Sequence, residues 1–200
     1  MTLRILSSLV LGILAGRFLL PASIVGTIGT ITDISLAALL FAVGFDLGKE
    51  ADLRQKIKDL PRVSLAVPFL VALGSVAGAM ISGSLAGMLA GEAAMVGAGF
   101  GWYSLSAVII TQTYDVTLGA LALLSNVLRE VFALLLIPLI AKRAGYLPAV
   151  APGGATAMDV TLPIIAQNTD AQTTLVAFYS GTVLTALVPL VIPLIITLLS

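Results

Sequence analysis

The sequence predicts an all-α integral membrane protein, with about five transmembrane helices plus two opposed re-entrant or broken segments that form an inverted repeat. Three observations carry this prediction. The 200-residue chain is 59% hydrophobic and only 10% charged, whereas a soluble domain carries about 25% charged residues. Its apolar residues fall into runs close to the roughly 20 residues that a bilayer-crossing helix needs. A short polar phrase is also written twice, as "IITQTYD" at Ile109–Asp115 and "IIAQNTD" at Ile164–Asp170, 55 positions apart.

The elements follow in order. Ile5 to Leu20 is the first apolar run, bounded by Arg4 before it and by Arg17 and Pro21 at its end. It resembles a signal peptide in layout but is read as a retained helix. Ile31 to Leu47 is the second, with Asp33 and Asp46 near its ends. Lys49 to Arg62 is the one strongly charged stretch and holds five of the 10 basic residues. Leu53, Ile57 and Leu60 repeat there at helical spacing, which suits a short interfacial helix. The positive-inside rule puts this loop in the cytoplasm. Val63 to Leu89, Thr117 to Ala141 and Gln172 to Leu199 are the remaining spans.

Two apolar segments, Ala93 to Tyr114 and Pro152 to Thr169, are interrupted by "GAGFGWYSLS" and "PGGATAMDVTLP". Gly and Pro break helices, while Ser, Thr and Asp offer the freed backbone other partners. Within a bilayer such backbone is tolerated only inside protein or beside a watery cavity. A shift of 55 aligns more than the heptads: Ile137–Ile140 falls on Ile192–Ile195, both Ile-Pro-Leu-Ile, and Ser125 on Ser180. Each repeat unit is thus a broken segment followed by one long helix. The chain divides into three N-terminal spans over 1–89, with the basic loop at 48–62, and two units over 93–141 and 152–199.

If both broken segments crossed fully, the units would run parallel and Lys142-Arg143 would lie outside. If both are re-entrant, the units are inverted and Lys142-Arg143 lies inside, as positive-inside favours. The predicted topology therefore has a cytoplasmic N-terminus and an external C-terminus.

Composition narrows the chemistry. There is no Cys and no His, so disulfides, thiolate or imidazole metal sites, Cys or Ser-His nucleophiles and His proton relays are excluded. A formal net charge of zero gives a nucleic-acid role no electrostatic footing. No cofactor and no metal is expected. Asp115 and Asp170 stand just before the long helices, where a carboxylate caps backbone N–H groups and complements the helix dipole. Asp159 lies in the second break between Thr156 and Thr161, where a carboxylate costs about 2.5–3.5 kcal/mol unless paired or wetted. It is either a proton and substrate site or a local cap. The shift of 55 sets Ser104 opposite Asp159. Asn126 and Glu130 are four apart and share a helix face, while Arg129 points about 100° away and is expected to pair with an acid elsewhere. The other reading is a structural ion pair. Tyr103, with Trp102 and Ser104, is placed at the first break, and Asp33 is a secondary candidate.

The pieces "GFGWYSLS", "LLSNVLREVFALLLIPLIAK" and "PGGATAMDVTLPII" resemble the LysO-type lysine exporter family of prokaryotic inner membranes, from about Asp33 onward. That resemblance implies export of L-lysine and thialysine, driven by proton exchange, with an intramembrane acid that "ATAMD" places on Asp159. Full-length members carry further N-terminal spans. The resemblance therefore implies either a small membrane subunit that supplies them or a homo-oligomer, within the lipid bilayer. An exporter or antiporter for another amino acid or cation would use the same residue types, as would a subunit active only with a partner. An intramembrane aspartyl protease is disfavoured: Tyr114-Asp115 supplies one half of such a dyad, but the glycine pattern of the other half is missing around Asp46.

Overall fold

The structure is a computed structural model that describes residues 62–199, together with scattered positions between 7 and 45. Most of the first two expected spans and nearly all of the basic stretch, with Asp33 and Asp46, lie outside the described residues. Among the described residues every regular element is helical: α1 (Arg62–Leu85), α2 (Ala90–Gly97), α3 (Tyr103–Thr113), α4 (Val116–Arg143), 3-10 turns at Leu147–Val150 and Gly154–Met158, α5 (Leu162–Asn168) and α6 (Ala171–Leu199). Three of these are long and apolar enough to cross a membrane: Val63–Leu85, Val116–Arg143 and Ala171–Leu198. At 1.5 Å per residue each exceeds the ~30 Å hydrocarbon core.

Helix α1 stops four residues earlier than the apolar run suggested. Gly87 adopts φ +85° and the Met88 N–H donates to Gly83 O at 2.9 Å, which satisfies the last carbonyls and turns the chain. Helix α2 then returns along α1, with Gly97 packed on Ser75 and Ala79. The chain breaks at Ala98–Trp102 and α3 leads back to Asp115.

The two ends of this first segment meet. Tyr114 Oη donates to Glu92 Oε1 at 3.2 Å, so the start of α2 and the end of α3 share one end of the bundle, beside the C-terminus of α1. Helix α4 runs from there to the opposite end, where Lys142 and Arg143 occupy its last turn and complement the helix dipole. The second segment starts at that opposite end and finishes at Asp170. Early in α6, Tyr179 Oη donates to Leu65 O at 3.4 Å, placing the N-terminus of α6 beside that of α1. Helix α6 therefore runs antiparallel to α4, and each broken segment leaves by the end at which it came in.

Both long helices start on an aspartate of the repeated phrase. Asp115 Oδ1 accepts from the Leu118 N–H at 2.7 Å and Asp170 Oδ1 from the Thr173 N–H at 2.7 Å. Each cap satisfies a donor that no helix carbonyl can reach. The core mixes small and large residues, with Ala122, Ala133, Ala157 and Ala177 fully buried beside Phe100, Ile110, Ile137 and Leu184, while Leu73, Ile81, Phe132 and Phe178 lie more than half exposed. Small residues let helix backbones approach, and large apolar ones on the outside suit contact with lipid.

Candidate functional site

The breaks meet at their tips. Phe100 has φ +50°, Gly101 φ +102° and Gly154 φ +58°, conformations that leave backbone groups unpaired within each segment. One pair is satisfied across the tips: the Ala155 N–H donates to Phe100 O at 2.8 Å. Gly154 permits this approach, since a Cβ there would collide with Phe100 O.

Two side chains of α4 hold the tips. Asn126 is buried; its Oδ1 accepts from the Gly101 N–H at 2.7 Å. Its Nδ2 donates to Val96 O at 3.2 Å and to Ala122 O at 2.9 Å. Arg129 reaches the second segment through Nε to Pro152 O and Nη2 to Ala151 O, both at 3.2 Å, and α1 through Nη1 to Ser75 Oγ at 2.6 Å. Among the described residues, the partners of Arg129 are carbonyl and hydroxyl oxygens in place of the acid expected. A planar guanidinium can serve several fixed acceptors at once, and these carbonyls lie outside any α-helix.

Between the breaks is a cavity of about 150 Å³. The first break contributes Gly101, Trp102, Tyr103 and Ser104. The second contributes Ala155, Thr156, Met158, Asp159 and Val160. The long helices add Glu130 from α4 and Thr185 from α6. The structure thus brings Asp159, Glu130, Ser104, Tyr103 and Thr156 into one space. Asp159 Oδ1 accepts from the Val160 N–H at 2.6 Å, which orients the carboxyl at the cavity wall. Thr156 Oγ1 donates to Gly153 O at 2.8 Å and lies 3.4 Å from Thr161 Oγ1.

Other expected site residues are not in this cavity. Thr161 is fully buried behind Thr156. Asn126 and Arg129 line a separate space of about 240 Å³ beside α1 and α2, and Arg129 also floors an open apolar groove of about 930 Å³ between α1 and α4. Asp115 and Asp170 are engaged as caps. Thr185 was missed by sequence reasoning, although a signal existed: the shift of 55 carries Glu130 onto it. Among the described residues no group of three or more acidic side chains stands close enough to hold a metal ion. The chemistry on offer is that of two carboxyls and several hydroxyls in a small, partly open space.

The family described as Lysine exporter LysO matches residues 6–196. The chain is 31% identical over 161 residues to "Lysine exporter LysO" of Escherichia coli, covering 80% of this chain and 53% of that protein. It is 32% identical over 157 residues to "Putative lysine exporter" of Haemophilus influenzae, covering 78% of this chain and 80% of that one. The chain therefore spans about half the length of the E. coli relative. No solved structure matches.

Proposed function

The chain belongs to the lysine exporter LysO family, and from that premise we propose that it is a secondary active transporter exporting L-lysine, and its analogue thialysine, in exchange for protons. The observation that carries the reading is the cavity between the two breaks, which places Glu130 and Asp159 in one small space. Two carboxylates in a low-dielectric cavity repel one another, and a cation relieves that repulsion. An ammonium group can do so, and so can a proton, which makes the two competitors for the same oxygens.

The cycle follows from that competition. Facing the cytoplasm, the acids lose protons and take the cationic substrate. Facing outward, where protons are more available, they are protonated and release it. Asp159 and Glu130 carry the proton and the ammonium, while Ser104, Tyr103 and Thr156 supply further hydrogen bonds. Thr161 supports Thr156 from behind. Asn126 and Arg129 hold the breaks in register. Arg62, Lys142 and Arg143 lie at one end of the bundle, and the positive-inside rule makes that end cytoplasmic in the inner membrane.

The chain works either alone, as a homo-oligomer, or with a small membrane subunit that completes it. Lysine/proton exchange in proteoliposomes tests both arrangements, comparing the chain alone with the chain plus any small membrane protein encoded beside it. Exchange is expected in at least one of these, and Asp159→Asn is expected to abolish it while still inserting. Normal exchange by that variant would overturn the role of Asp159, and exchange of another amino acid or cation in place of lysine would overturn the substrate.

A further inference from the structure

The repeat that caps the two long helices also runs through the cavity. A shift of 55 carries Ser104 onto Asp159, Glu130 onto Thr185 and Tyr103 onto Met158, and all six line the same 150 Å³. The same shift carries Phe100 onto Ala155, and those two are joined by the Ala155 N–H to Phe100 O bond of 2.8 Å. A residue touches its own repeat partner only where the two units face each other across their common axis. With α4 and α6 antiparallel, that axis is a pseudo-two-fold passing through the tips and the cavity.

The chemistry is unequal about this axis in an orderly way. One unit offers a hydroxyl from its break (Ser104) and a carboxyl from its long helix (Glu130). The other offers a carboxyl from its break (Asp159) and a hydroxyl from its long helix (Thr185). A half-turn exchanges acid for hydroxyl at both levels. We propose that Ser104, Glu130, Asp159 and Thr185 act as one set that grips a primary alkylammonium group, and that Ser104 and Thr185 are recognition residues equal in standing to each other.

The occupant follows from the groups present. Two carboxyls and two hydroxyls accept hydrogen bonds readily, and a primary ammonium has three N–H groups to donate. A substrate carboxylate would meet like charge there, and the nearby guanidinium of Arg129 is committed to Ser75, Ala151 and Pro152. The cavity amounts to about five liquid-water volumes of roughly 30 Å³ each. That is room for an ammonium and a short stem, with Met158 and Val160 as apolar wall. The cavity thus takes the side-chain end of the substrate, and the amino-acid head lies outside it. This inference rests on the cation-export reading above and gives it a recognition element.

The test is binding of n-butylammonium, a primary ammonium with no amino-acid head, to the purified protein by titration calorimetry, with L-lysine titrated in parallel. Wild type is expected to bind butylammonium. Glu130→Thr or Asp159→Ser alone should weaken binding by at least about tenfold, the scale of one hydrogen bond to a charged group. The quadruple S104D/E130T/D159S/T185E rebuilds the same set turned by half a revolution, and its affinity should return to within about threefold of wild type, since coupled sites are not additive. Ser104→Ala removes only a hydroxyl and Thr185→Val replaces one by a methyl of similar size, and each should weaken binding about three- to tenfold; they decide the matter if the quadruple does not fold. No binding by wild type, a folded quadruple no better than Asp159→Ser, or neutral Ser104→Ala and Thr185→Val would each overturn the inference. Butylammonium binding without lysine binding would instead remove lysine as the substrate and leave the ammonium site standing.

Discussion

Arg129 Nη1 donates to Ser75 Oγ at 2.6 Å, while the same guanidinium serves Ala151 O and Pro152 O. One side chain therefore ties α1, α4 and the second broken segment together at the depth of the tips. The carbonyls it serves stand outside any α-helix and would otherwise be costly inside a membrane.

Arg129→Lys separates charge from geometry. A lysine keeps the positive charge but presents a compact ammonium in place of a planar fork, so it cannot hold all three acceptors. The expected outcome is that Arg129→Lys behaves like Arg129→Met, each lowering lysine exchange in proteoliposomes by at least about tenfold, the cost of roughly one charged hydrogen bond. Near-normal exchange by Arg129→Lys would show that charge alone suffices and that the tether is dispensable.

Asn126 does for the first break what Arg129 does for the second. Asn126→Leu removes the acceptor of the Gly101 N–H and the donor to Val96 O. Leaving buried groups unpaired costs about 1–3 kcal/mol each. The variant should lose several degrees in the midpoint of thermal unfolding in detergent. A leucine variant as stable as wild type would mean that the first break needs no side-chain support.

Much of this arrangement was legible in the sequence, and for physical reasons. Glycine clusters and Pro152 in apolar runs announced the breaks, because several such residues close together weaken a helix more than the isolated prolines Pro68 and Pro138 do inside α1 and α4. Aspartate before a long apolar run announced the caps at Asp115 and Asp170. The spacing of 55 raised the expectation of two units of the same plan. What the sequence hid were contacts that depend on how the units meet. Asn126 and Glu130 share a helix face, yet only Glu130 reaches the cavity, because the tip of the first break comes between them. Arg129 looked like half of an ion pair, since nothing in a one-dimensional pattern shows that three neutral oxygens will surround it. Thr185 carried no local signal, being one threonine in a long apolar helix; only the repeat singles it out.

Gly181 tests the close fit of the second unit. The shift of 55 sets it opposite Asn126, but here no side chain stands between helix and break. A Cβ at Gly181 would collide with the Met158 backbone nitrogen and lie 2.8 Å from Ala155 O. Both partners are backbone of the second break, so α6 cannot accept a methyl group without moving it. Gly181→Ala should cost about 1–3 kcal/mol of stability, the range for overpacking, and should weaken substrate binding because Asp159 moves with the displaced segment. Gly78→Ala, at a position where a Cβ meets nothing within 4 Å, is the matched control. Equal behaviour of the two variants in thermal unfolding would contradict the close packing.

The caps offer a contrast with the site. Asp115→Ala removes the acceptor of the Leu118 N–H at the start of α4, and loss of such a cap costs about 0.5–2 kcal/mol. Asp115→Asn retains a side-chain oxygen for the same bond and ranks close to aspartate as a cap. A capping role therefore predicts that the asparagine variant recovers most of the lost stability, whereas a role in carrying protons predicts that it does not recover exchange. The measurement is paired: thermal unfolding in detergent and lysine/proton exchange on the same preparations. Recovery of both by Asp115→Asn, set against loss of exchange by Asp159→Asn, is the expected result. It would divide the acids of the two units by what they touch, with Asp115 bonded to the backbone of its own helix and Asp159 open to the cavity between the breaks.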